Sequence, residues 1–250
     1  MPTLIHPGAF VHPRAKLGQD VEVMAGAVVT EWAELGDRVV VHPGAVIGGD
    51  PQYLNFDRSL ASYVRVGADT VFREGATVNR SITADGATVV GARCYFMATA
   101  HAGHDCLVAD DVILANQVLL GGHVEVGAFA FLGGASGVHQ HCRIGTGAIL
   151  GGMICMTLDL PPFCMGGRRN EVTGLNLVGM KRRAWPRETI REVKEAYRAV
   201  LRPVGNLRTA AAAHLPQVSS PQAREFLEFF AGGKRPSARP RSGRETSADE

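Results

Sequence analysis

The chain has 250 residues and a formal net charge of +2, with 26 lysines and arginines against 24 aspartates and glutamates. This near balance argues against a general nucleic-acid-binding protein. No uninterrupted apolar run is long enough to span a bilayer, so no membrane insertion is expected. Because the five cysteines lack C-x-x-C spacing, we predict reduced thiols in a cytoplasmic protein without a signal peptide.

An apolar residue recurs every six positions through the first two-thirds of the chain. The series runs from Ile5 to Ile47, slips by one residue across 48–65, and resumes from Val66 to Met156. Ordinary hairpins would lose this phase at each variable loop, whereas here the frame is kept. The period therefore predicts a parallel β-helix, in which three short strands make each coil of eighteen residues.

The period ends at a segment rich in proline and glycine, 159–169, and helical patterns follow it. We predict a hexapeptide β-helix domain at 1–173, a helical C-terminal domain at 174–233 and a disordered tail at 234–250, because the tail is polar, charged and interrupted by proline. Helices are expected in RETIREVKEAYRAVL, in LRTAAAAHL and in the segment from Ser220–Pro221 to the glycines at 232 and 233.

Five histidines fall near one corner of the predicted β-helix on successive coils. They are His101, His104, His123, His139 and His141. With eighteen residues in a coil, the inward-facing positions that precede them lie above one another, so the imidazoles form a column. Clustered titratable groups mark functional sites more often than ordinary surfaces do. The column therefore predicts a site at this corner.

Two chemistries can use such a column. A neutral imidazole accepts a proton from a hydroxyl group at neutral pH, and Asp105 directly after His104 favours this general-base role. Alternatively, His104, His123 and His141 could hold zinc with an open position, as in a γ-class carbonic anhydrase. The residues by themselves leave both chemistries open.

Four segments in order resemble the acyl-ACP:UDP-N-acetylglucosamine O-acyltransferase family of lipid A biosynthesis. They are AHAGHDC, ILANQVLLGGHVEVGAFAFLGGASGVHQ, DLPPF and GLNLVGMKRR. The resemblance covers nearly the whole chain and implies a mainly β fold: a left-handed parallel β-helix of hexapeptide repeats, followed by a small α-helical C-terminal domain. It also implies a homotrimer with active sites between neighbouring prisms. A 3-hydroxyacyl chain would pass from acyl carrier protein to the 3-hydroxyl of a UDP-sugar, with acyl-ACP as donor substrate and neither cofactor nor metal.

The resemblance also assigns roles to residues. His104 would be the general base, Asp105 would orient it, and the backbone N–H of Gly122 would hold the oxyanion. Asn116 would meet the pantetheine arm or acyl chain, and the arginines of the last motif would meet the diphosphate. The complete set of predicted substrate-binding residues is His101, Asn116, His123, His139, Gln140, Asn176, Arg182 and Arg183.

Some positions depart from the residues that the family usually carries around the sugar and nucleotide. They are Tyr53, Asn55, Asn79, His141 and Val178. These departures leave the reaction type intact but keep three alternatives open: a UDP-sugar with a 3-amino group, another nucleotide sugar, and a scaffold without activity. Acyl length is open too, because Gly152 and Met153 lie near the position where the family limits the chain's tail.

Overall fold

The computed structural model describes residues 2–233 and 235–241. Most strands are only two residues long, and a glycine or a turn separates each from the next. The strands are β1 (Leu4–Ile5), β2 (Phe10–Val11), β3 (Lys16–Leu17), β4 (Glu22–Val23), β5 (Val28–Val29), β6 (Ala33–Leu35), β7 (Val40–Val41), β8 (Val46–Gly49), β9 (Tyr63–Val66), β10 (Val71–Phe72), β11 (Thr77–Asn79), β12 (Ala87–Val90), β13 (Tyr95–Phe96), β14 (His101–Ala102), β15 (Leu107–Val108), β16 (Ile113–Leu114), β17 (Leu119–Leu120), β18 (Glu125–Val126), β19 (Phe131–Leu132), β20 (Gly137–Val138), β21 (Arg143–Ile144), β22 (Ile149–Leu150), β23 (Cys155–Met156), β24 (Cys164–Arg168) and β25 (Glu171–Leu175).

Every third strand joins the same sheet, so the chain winds around three parallel sheets. The first sheet runs from β1 to β22 and then through β24 and β25, the second from β2 to β23, and the third from β3 to β21. In the second sheet His101 pairs with Leu119 and Leu119 with Gly137, one coil of eighteen residues apart. This register confirms the predicted parallel β-helix.

The predicted coil length of eighteen residues is wrong at two places, where the chain leaves the prism and returns. Val46 pairs with Thr77, because residues 50–62 form a loop, and Thr77 pairs with His101, because residues 80–86 form a second excursion. Both insertions keep the inward-facing residues inward, since the strand register resumes on each side. They change which residues lie above one another at a corner.

The repeating apolar residues fill the prism. Leu114, Leu120 and Leu132 are fully or almost fully buried, as is Cys106 in the predicted small inward slot. At most corners the third residue after the inward-facing position takes a left-handed backbone conformation, as at Asp105 with φ of 59°. Such a conformation is uncommon outside glycine, and its regular recurrence gives the corners their identical shape.

The loop 50–62 is fixed to the prism by one buried arginine. Arg80 is 1% exposed, donates to Oδ1 of Asp50 at 3.0 Å and to the carbonyl of Arg58 at 2.9 Å. Its guanidinium also lies 4.6 Å from the ring centre of Phe56. Because a buried charge requires such partners, Arg80 determines where this loop lies beside the second sheet.

The end of the prism is closed by the antiparallel hairpin of β24 and β25, which the repeat pattern did not predict. The helices are α1 (Leu177–Arg182), α2 (Arg187–Leu201), α3 (Leu207–His214), a 3₁₀ turn (Leu215–Gln217) and α4 (Pro221–Glu228). The three predicted helices correspond to α2, α3 and α4, whereas α1 was not predicted. The proposed domain division between 173 and 174 falls within β25. Within the described residues, no helix combines the length and apolar character needed to cross a bilayer.

The prediction of a disordered tail is wrong for residues 235–241. Ser237 forms a bridge with Asp159 and Arg239 forms one with Glu171, while Ala238 is completely buried between them. Two backbone bridges and a buried methyl group stabilise this segment against the end of the prism, although its composition is polar. Lys234 and residues 242–250, also predicted to be disordered, lie outside the described residues.

Candidate active site

A groove of about 740 Å³ runs along the outer face of the second sheet. Its floor changes character in strand order, from Thr77 and His101 to Leu119, Gly137 and Cys155. One end of the groove is therefore polar and the other largely apolar. The predicted residues that line it are His101, His104, Gly122, His139 and Gln140.

His104 and Asp105 form a hydrogen-bonded pair at the edge of this groove. Nδ1 of His104 lies 2.8 Å from Oδ2 of Asp105. An ionised carboxylate can only accept, so Nδ1 carries the proton and Nε2 keeps its lone pair. The corner of the β-helix is responsible for this pairing, because the left-handed conformation at Asp105 turns its side chain back beside the residue before it.

Several donors hold the Asp105 carboxylate in its charged form. Ser81 Oγ donates to Oδ1, and the backbone N–H of Ile82 donates to Oδ2 at 3.2 Å. Burial acts to raise the pKa of Asp105, but the bonds from Ser81, His104 and Ile82 outweigh it and the pKa lies below its ordinary value. The carboxylate is therefore anionic at neutral pH and can stabilise an imidazolium beside it.

The backbone N–H of Gly122 donates to no group in the part of the chain that the structure describes. At the corresponding position of another corner, the N–H of Ala92 donates to Oδ1 of Asp110, one coil along, at 2.9 Å. The residue one coil along from Gly122 is Gln140, and no such bond forms. A Cβ at position 122 would lie 2.5–3.0 Å from ring atoms of His104, so glycine is what lets the imidazole lie against this free amide.

His101 is the second imidazole on the floor of the groove. Its Nδ1 lies 2.7 Å from Oγ1 of Thr77, the residue beside it in the sheet. Burial lowers the pKa of His101, and the nearby charge of His104 in its protonated form lowers it further. His101 is therefore neutral at neutral pH and presents Nε2 as a polar group to a ligand in the groove.

His123 and His141 lie behind the pair and continue the column. The His123 ring meets His104 edge-on with centres 5.0 Å apart, and it stacks on His141 at 4.5 Å with 7° between the ring planes. Burial lowers the pKa of His123; Asp105 opposes this, while His141 and His104 add to it. Because His141 packs on the face of His123, its nitrogens do not converge with the other two.

This geometry differs from the alternative zinc set of His104, His123 and His141. Among the residues described, the potential ligand atoms that lie within 4.8 Å of one another belong to His104, Asp105 and His123. In this group Asp105 already bonds to Nδ1 of His104. The arrangement is that of a base with its orienting carboxylate, and three imidazoles do not surround a common point.

Asn176 lies outside the groove and is 6% exposed. Its Oδ1 accepts from the N–H of Gly179 at 2.8 Å, capping α1, and its Nδ2 donates to the carbonyl of Gly147 at 2.9 Å. These bonds attach α1 to the prism. Its contact with a nucleotide remains a prediction, and its position fixes the segment that carries the arginines.

Arg182, Arg183 and Asn116 also lie outside the lining of the groove. Arg182 and Asn116 are exposed, whereas Arg183 packs its guanidinium over the rings of Phe129 and Trp185 at 5.3 and 5.5 Å. Nε and Nη2 of Arg183 are buried without a hydrogen-bond partner in the described chain. Burial accordingly lowers the pKa of Arg183, and its free donors suit an anion.

Among the departures, Asn79 lies at the polar end of the groove. It is 8% exposed, its Oδ1 has no hydrogen-bond partner among the described residues, and its Nδ2 lies 3.5 Å from the carbonyl of Gly49. Tyr53 and Asn55 stand on the loop 50–62, which contributes Gln52 to the groove, and Val178 is exposed on α1. An unpartnered buried acceptor is costly unless a ligand donates to it.

Sequence reasoning missed Ser81, Thr77 and Arg80. Ser81 and Thr77 touch the predicted site residues, and Arg80 positions the adjacent loop. The signal that could have found Ser81 is its place three residues after the inward-facing Val78, equivalent to that of Asp105 after Ala102. An assumed coil of eighteen residues hides this equivalence, because the coil between them is longer.

Comparisons with known proteins cover both the prism and the helical end. A family model described as Udp N-acetylglucosamine O-acyltransferase, domain 2, matches residues 159–238. A second, described as bacterial transferase hexapeptide (six repeats), matches residues 14–49.

Named relatives match over most of their length. An acyl-[acyl-carrier-protein]–UDP-N-acetylglucosamine O-acyltransferase of Agrobacterium fabrum is 38% identical over 229 residues, covering 90% of this chain and 84% of the relative. The protein of the same name from Campylobacter concisus is 33% identical over 224 residues, covering 89% and 85%. Among solved structures, UDP-N-acetylglucosamine acyltransferase from Campylobacter jejuni has a TM-score of 0.84 at 32% identity, covering 95% of this chain and 100% of that one.

Proposed function

We propose that this chain, which belongs to the acyl-[acyl-carrier-protein]–UDP-N-acetylglucosamine O-acyltransferase family, is an acyltransferase of lipid A biosynthesis. It transfers a 3-hydroxyacyl chain from acyl carrier protein to the 3-hydroxyl of UDP-N-acetylglucosamine. The observation that carries the proposal is that His104 and Gly122, whose N–H has no acceptor in the described part of the chain, line one groove. Acyl transfer needs both groups, a base for the alcohol and a donor for the oxyanion.

The reaction begins when Nε2 of His104 takes the proton of the sugar hydroxyl. The hydroxyl oxygen attacks the thioester carbonyl carbon, and the carbonyl oxygen becomes an oxyanion that the N–H of Gly122 binds. Asp105 stabilises the imidazolium through Nδ1. When the tetrahedral intermediate collapses, the carbon–sulfur bond breaks, and the imidazolium returns its proton to the pantetheine thiolate.

The groove is polar at one end and apolar at the other, and this difference supports one orientation of the two substrates. The acyl chain lies along Leu119, Gly137 and Cys155, where the floor is apolar. The sugar lies toward Thr77 and Asn79, where polar groups can bind its hydroxyls. Since Oδ1 of Asn79 accepts no hydrogen bond from any described residue, it fits a donor of the sugar, and either a hydroxyl or an amine meets that requirement.

The nucleotide residues support a site completed by a second copy. Asn176, Arg182 and Arg183 lie outside the groove of their own chain, and the arginines supply donors for a diphosphate. We infer a homotrimer in which these residues of one prism approach the groove of the next. The five cysteines, all without disulfide bonds, are consistent with a cytoplasmic enzyme.

The test is transfer by the purified full chain in a grid of substrates. Acyl-ACPs of graded length, with and without the 3-hydroxyl, are combined with UDP-N-acetylglucosamine and its 3-amino analogue, and products are identified by mass. We expect a 3-hydroxyacyl ester of UDP-N-acetylglucosamine, with one chain length preferred. If only the amide of the 3-amino analogue forms, the acceptor is the amino sugar, and the proposed acceptor is wrong. Folded, trimeric protein that acylates no UDP-sugar would overturn it.

A further inference from the structure

We propose that Ser81 is a positioning residue of this reaction, acting through Asp105 on the base His104. The proposal rests on the proposed function. Ser81 is completely buried, and its Oγ donates to Oδ1 of Asp105. Val78 pairs with Ala102 in the second sheet, so Ser81 and Asp105 each lie three residues after a paired inward-facing position, as His123 and His141 do on the next coils.

The two carboxylate oxygens of Asp105 accept hydrogen bonds from different donors. Oδ2 accepts from Nδ1 of His104 at 2.8 Å and from the N–H of Ile82 at 3.2 Å. The hydroxyl of Ser81 is the side chain that donates to Oδ1. The Asp105 side chain is 15% exposed, so an oxygen without a donor would be costly. Ser81 therefore fixes the rotation that directs Oδ2 at the imidazole.

The hydroxyl of Ser81 is itself held in one orientation. Its Oγ accepts from the N–H of Thr83 at 2.9 Å. Its hydroxyl proton has two acceptors, Oδ1 of Asp105 and the more distant carbonyl of Thr83 at 3.4 Å, and the charged, nearer oxygen of Asp105 is the stronger one. A Cβ at Gly86 would come within 2.5 Å of this Oγ, so the excursion 80–86 closes tightly around it. The hydrogen-bonded series Ser81–Asp105–His104 therefore reaches Nδ1 of the imidazole whose other nitrogen, Nε2, takes the substrate proton.

The expected pH effect has a definite sign. Ser81 donates to the ionised form of Asp105, so its removal raises the pKa of Asp105. The titratable groups that face this carboxylate are His104, His123 and the buried thiol of Cys106, whose pKa burial and then Asp105 raise. All three remain in every variant. Arg80 faces away from it, toward Asp50. An Asp105 carboxylate that has lost one donor is also a stronger acceptor for Nδ1–H of His104 and stabilises the imidazolium more, so without Ser81 the loss of turnover on acidification begins at a higher pH.

The experiment compares Ser81→Ala and Ser81→Cys with Ser136→Ala in the full chain. Ser136 is a matched control, because it is 1% exposed in the same prism and its Oγ has no hydrogen-bond partner within the described chain. We expect Ser81→Ala to lower kcat about tenfold, a part of what a general base contributes. KM for both substrates stays within about twofold, because Ser81 does not line the groove. Ser81→Cys, with a weak donor, should lie between alanine and wild type.

Each outcome decides between positioning and mere packing. If kcat and the acid limb of Ser81→Ala match those of Ser136→Ala while only thermal stability falls, the positioning role is wrong. If Ser81→Ala does not fold, Ser81→Cys alone decides: a lowered kcat with the acid limb at higher pH supports the role, and a wild-type profile overturns it. A wild-type enzyme without any turnover would instead refute the proposed function.

Discussion

Two corners of the prism share one backbone and have different chemistry. At the structural corner, the N–H of Ala92 donates to Asp110 of the next coil, and Arg93 pairs with Asp110 and with Asp111, which lies directly above it. The N–H of Gln19 is satisfied in the same way, by Asp37. At the corner where we place the catalytic residues His104, Asp105 and Gly122, called the catalytic corner below, the N–H of Gly122 meets no acceptor within the described residues.

The difference arises from the side chain one coil along. An aspartate at that position accepts the hydrogen bond of the backbone N–H. Oppositely charged side chains of successive coils then form ion pairs along the corner. Where that residue is Gln140, the amide is left open, and the stack above Ser81 consists of Asp105, His123 and His141. The amides of Ala98, Asn116 and Gly134, at the same position of other coils, also meet no acceptor within the described residues, so what distinguishes the amide of Gly122 is its place beside the His104 ring in the groove.

The largest expected effect comes from giving the catalytic corner the side chain of the structural one. His104→Ala places an alanine where the other corner has Ala92 and removes the base. We expect turnover to fall by about 10²–10⁴, the usual contribution of general acid–base catalysis, with thermal unfolding near wild type because His104 lies at a turn of the surface. Acyl transfer and calorimetry measure the two effects, and near-normal turnover would remove His104 as base.

Substitution of Gly122 should lower kcat without lowering stability, so it distinguishes a role in catalysis from a role in folding. In Gly122→Ala the Cβ lies 2.5–3.0 Å from the His104 ring, a side chain that can move, so the protein folds with a displaced base. We expect at least about a hundredfold loss of kcat. In Gly121→Ala the Cβ meets the backbone N of Gln140 at 2.8 Å, so stability falls.

Gly134→Ala is the control for this pair, because its nearest neighbour is the carbonyl of Asn116 at 3.4 Å. It should keep both turnover and stability. Full activity in Gly122→Ala would show that His104 tolerates a neighbour at this position.

Gln140→Asp converts the catalytic corner into the structural one. The new carboxylate takes the position that Asp110 has over Ala92, so it accepts the N–H of Gly122 and competes with the oxyanion. We expect kcat to fall about tenfold to a hundredfold. Gln140→Ala removes the same side chain without adding an acceptor and should lose less. Equal losses in the two variants would place the effect in substrate binding by Gln140.

The sequence correctly predicts which residues face inward and which lie beside one another wherever the six-residue period is continuous. It fails to do so where the period is interrupted. Six-residue spacing identifies the inward-facing residues and brings His123 and His141 together, because strand register is conserved from coil to coil. It cannot reveal that Ser81 lies below Asp105, since the excursion 80–86 changes the coil length. Nor can composition show that residues 235–241 are ordered, because backbone bridges stabilise them.

Asp110→Ala is the converse change at the structural corner, and it should affect stability alone. It removes the acceptor of the Ala92 N–H and one partner of Arg93. A partly exposed hydrogen bond such as that from the Ala92 N–H contributes about 1 kcal/mol or less to the free energy of unfolding, which denaturant unfolding can detect. Turnover should equal that of the wild type. A reduced kcat in this variant would mean that the two corners are coupled.

The smallest effect on kcat is expected from His141→Phe. The substitution keeps an aromatic ring stacked on His123 and removes the charge that a protonated His141 would carry. The rings lie 4.5 Å apart and nearly parallel, and a phenyl ring can occupy the same place, so kcat should stay within about twofold. Burial first, and then the charge of a protonated His141, lower the pKa of His123. Removing that charge therefore raises the pKa of His123, which an NMR titration with labelled histidine measures. A tenfold loss of kcat would instead place His141 in the catalytic machinery, and an unchanged pKa of His123 would show that His141 does not contribute to lowering it.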